Sequence, residues 1–167
     1  NLYPTHGLGP VSQYMNLLRS EDTFKSLVSL SSPALGRKKF GEENFPSNHK
    51  WNKLNYQNGD INTSIIKTYL GRTIMVQWDE TSPRPYTRLN LIQGTKGILA
   101  GGPTRAAFDN GFENYSNDAE KWITGKGIEQ LYEKFDHPLY KRLNSKTKYS
   151  GHGGMDGIMM YRIVECL

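Results

Sequence analysis

The sequence predicts an α+β domain with an open, mainly antiparallel or mixed β-sheet and helices packed on one face. Three observations carry that class. A helix-like segment comes first, a run of β-rich segments fills the middle, and a helical period takes over from Gly127. Strand and helix do not alternate regularly, which disfavours a doubly wound parallel domain. No internal repeat is visible.

The elements follow in order. Gly9-Pro10 before Val11, Tyr14, Met15 and Leu18 reads as a helix start, because proline suits the first position and those four residues share a face. Phe24 to Ser32 reads as a strand centred on Leu27 and Val28. Pro33 to Tyr56 is polar and proline-containing, and reads as irregular. Asn62 to Leu70 and Arg72 to Glu80 flank Gly71 as a hairpin. Tyr86 to Gln93 reads as a third strand, turned by Thr95-Lys96-Gly97 into Ile98 to Ala100 and broken by Gly101-Gly102-Pro103. Arg105 to Phe108 and Lys121 to Thr124 read as short edge strands. Gly127 to Phe135, Pro138 to Lys148 and Met155 to Leu167 read as helices.

Composition narrows the function. A chain of 167 residues suits one domain with one modest core. No run of about 18 apolar residues offers a membrane span, and no secretory pattern opens the chain. Cys166 is the single cysteine, which removes an intramolecular disulfide and a cysteine-based zinc site. The balance of 21 Lys+Arg against 16 Asp+Glu gives a net charge of +5. Arg37-Lys38-Lys39 is the one tight basic cluster, and no basic stripe with interleaved aromatics follows, so nucleic acid is not an expected partner. The opening Asn1-Leu2-Tyr3 falls inside a motif and the closing helix has no stop signal. The chain is therefore expected to be part of a longer protein.

Few residues carry obvious chemistry. Gly7-Leu8-Gly9 runs into Pro10 and follows no strand, so no dinucleotide-binding turn is present. Tyr3, Thr5 and His6 concentrate a phenol, a hydroxyl and an imidazole just before a helix, whose positive end favours a neutral, base-competent imidazole. A capping or packing role for His6 fits the residues equally well. Trp78 to Tyr86 joins two strands, and the prolines around Arg84 stiffen a link that allows Arg84 and Tyr86 to project together. Asp79 and Glu80 are adjacent on a strand and face opposite ways, which makes a poor hydrolytic pair. His152 before the last helix reads as structural, with Asp156 favouring the helix start. His49 and His137 stand alone and read as surface residues, and no histidine spacing makes a metal site.

The segments YPTHGLGP (Tyr3 to Pro10), NGDINTSIIKT (Asn58 to Thr68), RTIMVQWDETSPRPY (Arg72 to Tyr86), LIQGTKG (Leu91 to Gly97) and GHGGMD (Gly151 to Asp156) together resemble glycoside hydrolase family 109. These are bacterial NAD-dependent α-N-acetylgalactosaminidases with the fold of Gfo/Idh/MocA oxidoreductases. The resemblance implies that residues 1–167 are the substrate-binding C-terminal domain. NAD then sits mainly on an N-terminal Rossmann domain outside this chain, no cofactor-binding residue falls here, and the chain alone is inactive. It implies substrate contacts at Tyr3, Pro4, Thr5, His6 and Tyr86, with His6 and Tyr3 catalytic. Related sugar dehydrogenases carry Asp-x-x-x-His at the first site; Leu2 stands at the aspartate place, so His6 must be oriented by Tyr3 or by the other domain. The implied chemistry is transient oxidation at C3 of the sugar, loss of the C2 proton to a base outside this chain, elimination, water addition and re-reduction. Implied partners are a glycan ending in α-N-acetylgalactosamine, the Rossmann domain, and a second copy met through the sheet. A net sugar oxidoreductase and a non-catalytic carbohydrate-binding or oligomerisation domain are the alternatives. Export to the periplasm accords with the group's substrates, while the sequence itself fixes no compartment.

Overall fold

A computed structural model of the chain describes residues 4–19, 21–109 and 118–167. The chain divides into two compact units, Asn1–Arg88 and Leu89–Leu167. Helices and antiparallel sheets make up both, as the α+β class requires. The strands form two three-stranded sheets rather than one.

The first unit opens with helix α1 (Pro4–Tyr14) and strand β1 (Phe24–Ser31). The helix starts earlier than Gly9-Pro10 suggested, and Pro10 lies inside it. Its apolar stripe explains this. Leu8 joins Val11 and Met15 against the sheet, and burial of that stripe outweighs two helical glycines and a proline. Strands β2 (Ile61–Thr68) and β3 (Thr73–Asp79) complete an antiparallel sheet in the order β1-β2-β3. Leu27, Ile66 and Ile74 align across it, and so do Val28, Ile65 and Met75 on the opposite face. Leu17, Ile66 and Ile74 form the buried core under α1. The other face exposes Val28, Ile65 and Met75.

A polar knot closes the β2–β3 hairpin. Asp22 is buried, accepts from the Leu70 amide at 3.0 Å and pairs with Arg72 at 3.2 Å. The buried Thr68 hydroxyl accepts from the Arg72 amide at 3.1 Å, and Gly71 turns with φ of +85°. Burial of Asp22 works against its charge, but the Leu70 amide, the Thr68 hydroxyl and Arg72 outweigh it and hold the carboxyl below its usual range.

Two departures lie between these strands and after them. Pro33 to Tyr56 is not irregular: it holds helix α2 (Leu35–Asn44) and a 3₁₀ turn (Lys50–Lys53). The helix is capped from a distance, because Asp60 accepts from the Leu35 and Gly36 amides at 2.9 and 3.0 Å. A local reading misses a cap so remote in sequence, although Lys38–Glu42 and Lys39–Glu43 were a legible helical pairing. Tyr86 to Gln93 is mostly not strand, since only β4 (Leu91–Gly94) forms there. Pro83 and Pro85 lack ladder donors, and Arg84 folds back on Asp79.

The second unit contains β4, β5 (Gly97–Ala100) and β6 (Arg105–Phe108), antiparallel in that order. Lys121 to Thr124 contributes one bridge, Ile123 to Ala106, instead of a strand. Helices α3 (Lys126–Phe135), α4 (Pro138–Thr147) and α5 (Met155–Glu165) follow. Ala106, Ile128 and Leu131 form the second core with Phe108 and Ile123.

Truncating Ile66 to alanine removes the centre of the first core. It is expected to cost about 2–5 kcal/mol in urea unfolding, whereas Val28→Ala on the exposed face is expected to change stability by less than about 0.5 kcal/mol.

Candidate functional site

The residues singled out in the sequence fall on two supports in the first unit. Thr5 and His6 occupy the first turn of α1 and are exposed. They stand within the helix rather than ahead of it, still at its positive end. The other end is anchored where Arg72 donates to the Met15 carbonyl at 2.9 Å. At about 1.5 Å per residue, His6 lies roughly 13 Å along the helix from that anchor. Leu2, Tyr3 and the Pro4 side chain lie outside what is described.

Tyr86 stands on the segment that leaves β3, with 81% of its surface exposed. Its hydroxyl accepts from Arg88 Nε at 3.0 Å. A phenol so exposed keeps hydrogen-bonding capacity for a ligand. Arg84 does not project beside it. Its Nε donates to Asp79 at 2.9 Å and its Nη2 to the Asp79 carbonyl at 3.1 Å. Asp79 also accepts from the Ser82 amide at 3.1 Å. Burial opposes the charge on Asp79, but the Ser82 amide and hydroxyl and Arg84 prevail and lower its pKa. Glu80 turns to a different partner, the Arg37 guanidinium. The two adjacent carboxylates therefore brace the loop from opposite sides and form no catalytic pair.

Asp60 is the residue that sequence reasoning missed. Thr81 donates to it at 2.6 Å while α2 offers its first two described amides to the same carboxylate. The NGD and WDETSPRPY segments thus meet at one side chain. Gly36 is required at this junction. A Cβ there would stand 2.8 Å from Thr81 Oγ1 and 3.2 Å from Asp60 Oδ1. The Thr81 hydroxyl, then the Gly36 and Leu35 amides and Arg37, hold the Asp60 carboxyl below the ordinary value of 3.8 against a smaller burial effect. The legible signal was an aspartate bracketed by glycine and a β-rich run.

The remaining motifs are architectural. GHGGMD makes the tight turn from α4 into α5, with His152, Gly153 and Gly154 all at positive φ. His152 Nδ1 lies 3.0 Å from both oxygens of Asp156. His137 caps α4 by accepting from the Leu139 amide at 3.1 Å. His49 caps the 3₁₀ turn, accepting from the Trp51 amide at 3.3 Å, and is half-buried and stacked on Phe45 rather than lying loose on the surface. Among the described residues no cluster of His, Cys, Asp or Glu could hold a metal ion, and no helix is long and apolar enough to cross a membrane. Gly7 and Gly9 sit inside α1, so they form no phosphate-cradling turn after a strand.

Comparison with known proteins gives the class first, a domain of a glycoside hydrolase. A family model described as the C-terminal domain of glycosyl hydrolase 109 matches residues 1–167. This chain belongs to glycoside hydrolase family 109. "Glycosyl hydrolase family 109 protein 1" of Akkermansia muciniphila is 60% identical over 170 residues, covering 100% of this chain and 34% of the relative. Its "protein 2" is 56% identical, covering 100% and 35%. "Alpha-N-acetylgalactosaminidase" of Shewanella oneidensis is 54% identical over 168 residues, covering 100% and 36%. The chain spans about a third of the length of the curated relatives it matches.

The junction is acid-labile in a defined direction. Because the pKa of Asp60 is depressed on folding, its contribution is full above the unfolded value of 3.8 and is lost as pH falls through the lower folded value. Amide exchange at Leu35 and Gly36 is expected to quicken roughly tenfold in Asp60→Asn at neutral pH, with a flatter acid limb than the parent.

Proposed function

We propose that the protein containing this chain removes terminal α-linked N-acetylgalactosamine from glycans, and that the chain is its substrate-binding C-terminal domain. The observation that carries this is the 54% identity, across the whole chain, to a relative named for that activity. The braced loop supports it, since it presents an exposed phenol suited to a sugar hydroxyl.

In this reading His6 accepts the proton of the C3 hydroxyl, a role that suits an imidazole near neutral pH. Tyr3 helps to orient His6, and Tyr3, Pro4, Thr5 and Tyr86 hold the ring. Asp60, Asp79 and Arg84 act through Tyr86 by fixing the loop that bears it. NAD, held by an N-terminal Rossmann domain beyond this chain, would supply the hydride acceptor and donor, while the residues named here would hold the sugar and move its proton. The exposed row of Val28, Ile65 and Met75 is the surface through which two copies of the protein pair.

The test uses the intact protein and a nitrophenyl α-N-acetylgalactosaminide in D₂O. Deuterium at C2 of the released sugar is the expected result, whereas hydrogen retained at C2 would reject the oxidation–elimination route. His6→Ala is expected to lower kcat about 100-fold or more. Tyr86→Phe is expected to raise KM about tenfold, the effect of losing one well-placed hydrogen bond. Unchanged turnover in both variants would sink the residue roles, and net accumulation of reduced nicotinamide would mark a sugar oxidoreductase instead.

A further inference from the structure

The excursion between β1 and β2 builds two adjoining recesses, lined by none of the residues assigned above to the reaction. One cleft of about 260 Å³ is lined by Arg37, Phe40, Trp51, Leu54 and Tyr56. A neighbouring recess of about 550 Å³ shares Leu54 and Tyr56 and adds Lys38, Asn52 and Lys53. We propose that this pair of recesses is a binding site for an acidic glycan chain, one bearing a sulfate or a carboxylate.

The apolar wall is preformed. Trp51 packs edge-on against Phe45 at 4.7 Å, and Phe45 stacks on His49 at 4.5 Å. The Tyr56 hydroxyl donates to the Trp51 carbonyl at 3.1 Å. Asn52 Nδ2 ties the turn by donating to the Phe45 and Pro46 carbonyls at 3.1 and 3.0 Å. Rings held this way lose little entropy on binding. Yet Phe40 is 56% exposed and Trp51 41%. Aromatic surface exposed to this degree can meet the C–H face of a pyranose, whose weakly positive hydrogens suit the negative face of a ring. The amide side chains of Asn55 and Gln57, which line the polar recess, suit hydroxyl groups.

Charge selects the class of sugar. The two recesses are lined by Arg37, Lys38 and Lys53 and by no carboxylate. Arg37 is engaged by Glu80, and Lys38 reaches Glu42 only at 3.9 Å. Lys53 has no carboxylate at ion-pair distance among the described residues, which leaves its ammonium available to an anion. A cation left unpaired beside an apolar cleft, here Lys53, attracts an anionic ligand and loses that attraction in salt.

The inference rests on the glycan reading above for the choice of ligand, and its test is independent of hydrolysis. An N-acetyllactosamine tetrasaccharide lacking α-N-acetylgalactosamine is titrated into the intact protein in neutral, singly sulfated and singly sialylated forms. Binding of at least one acidic form is expected to be about tenfold tighter than the neutral form at low salt, converging on it near 1 M salt. Whichever acidic form binds names the group. Phe40→Ala, on an exposed helical face, is expected to weaken the acidic form about tenfold. Lys53→Gln is expected to abolish the acidic preference, and both variants keep the parent rate on the small nitrophenyl substrate. Equal affinity for neutral and acidic forms, no binding, or no effect of Phe40→Ala would overturn the proposal. Binding without hydrolysis in the parent protein would leave the site standing while removing the proposed reaction.

Discussion

One carboxylate organises the first unit. Asp60 stands at the mouth of β2 and takes hydrogen bonds from the beginning of α2 and from Thr81 beyond β3. These are charge-assisted contacts, shorter and stronger than neutral ones. They convert three stretches of chain that are far apart in sequence into one junction. The loop carrying Tyr86 begins at that junction, and so does the helix that walls the aromatic cleft. Neither could hold its geometry from local sequence preference, because one is rich in proline and the other has no capping side chain of its own.

The second unit solves a comparable problem by shape. The turn from α4 to α5 needs three successive residues at positive φ, and two of them are glycine. Gly157 then lets α5 approach α4. A Cβ there would stand 2.6 Å from Ser150 Oγ and 2.8 Å from Thr147 Cβ. Ser150 uses the proximity to donate to the Thr147 carbonyl at 2.8 Å and accept from the Gly157 amide at 2.9 Å. A sequence motif that invites a catalytic reading, histidine among glycines, is accounted for by backbone geometry and one histidine–aspartate contact.

What could be read in the sequence follows from range. The β2–β3 hairpin was legible because its alternation and its turn glycine lie within a few residues of one another. Helices α3, α4 and α5 were legible for the same reason. Helix α2 was not, since its cap lies in another strand's approach, and the start of α1 was misplaced because Leu8 gains its value only against Ile66 and Ile74. The irregular path after Tyr86 escaped notice because β propensity is decided by pairing, and there Arg84 and two prolines withdraw the chain from any ladder. In the first unit, the sequence singled out His6 and Tyr86, both of which are exposed. The residues that hold the loop in place, Asp60 above all, could not be found without knowing what lies beside them.

The excursion from β1 to β2 is fastened at both feet. The Ser32 amide donates to the Ile61 carbonyl at 2.9 Å, the Asp60 amide to the Pro33 carbonyl at 3.2 Å, and the Gly59 amide to Ser31 Oγ at 3.2 Å. A segment closed in this manner behaves as a cassette. Its interior can lengthen, shorten or change its aromatic and basic side chains at the modest entropic cost of a longer loop, while the strands on either side keep their register. Substitutions and length changes can therefore accumulate between Arg37 and Gln57 without disturbing the sheet or the loop that bears Tyr86.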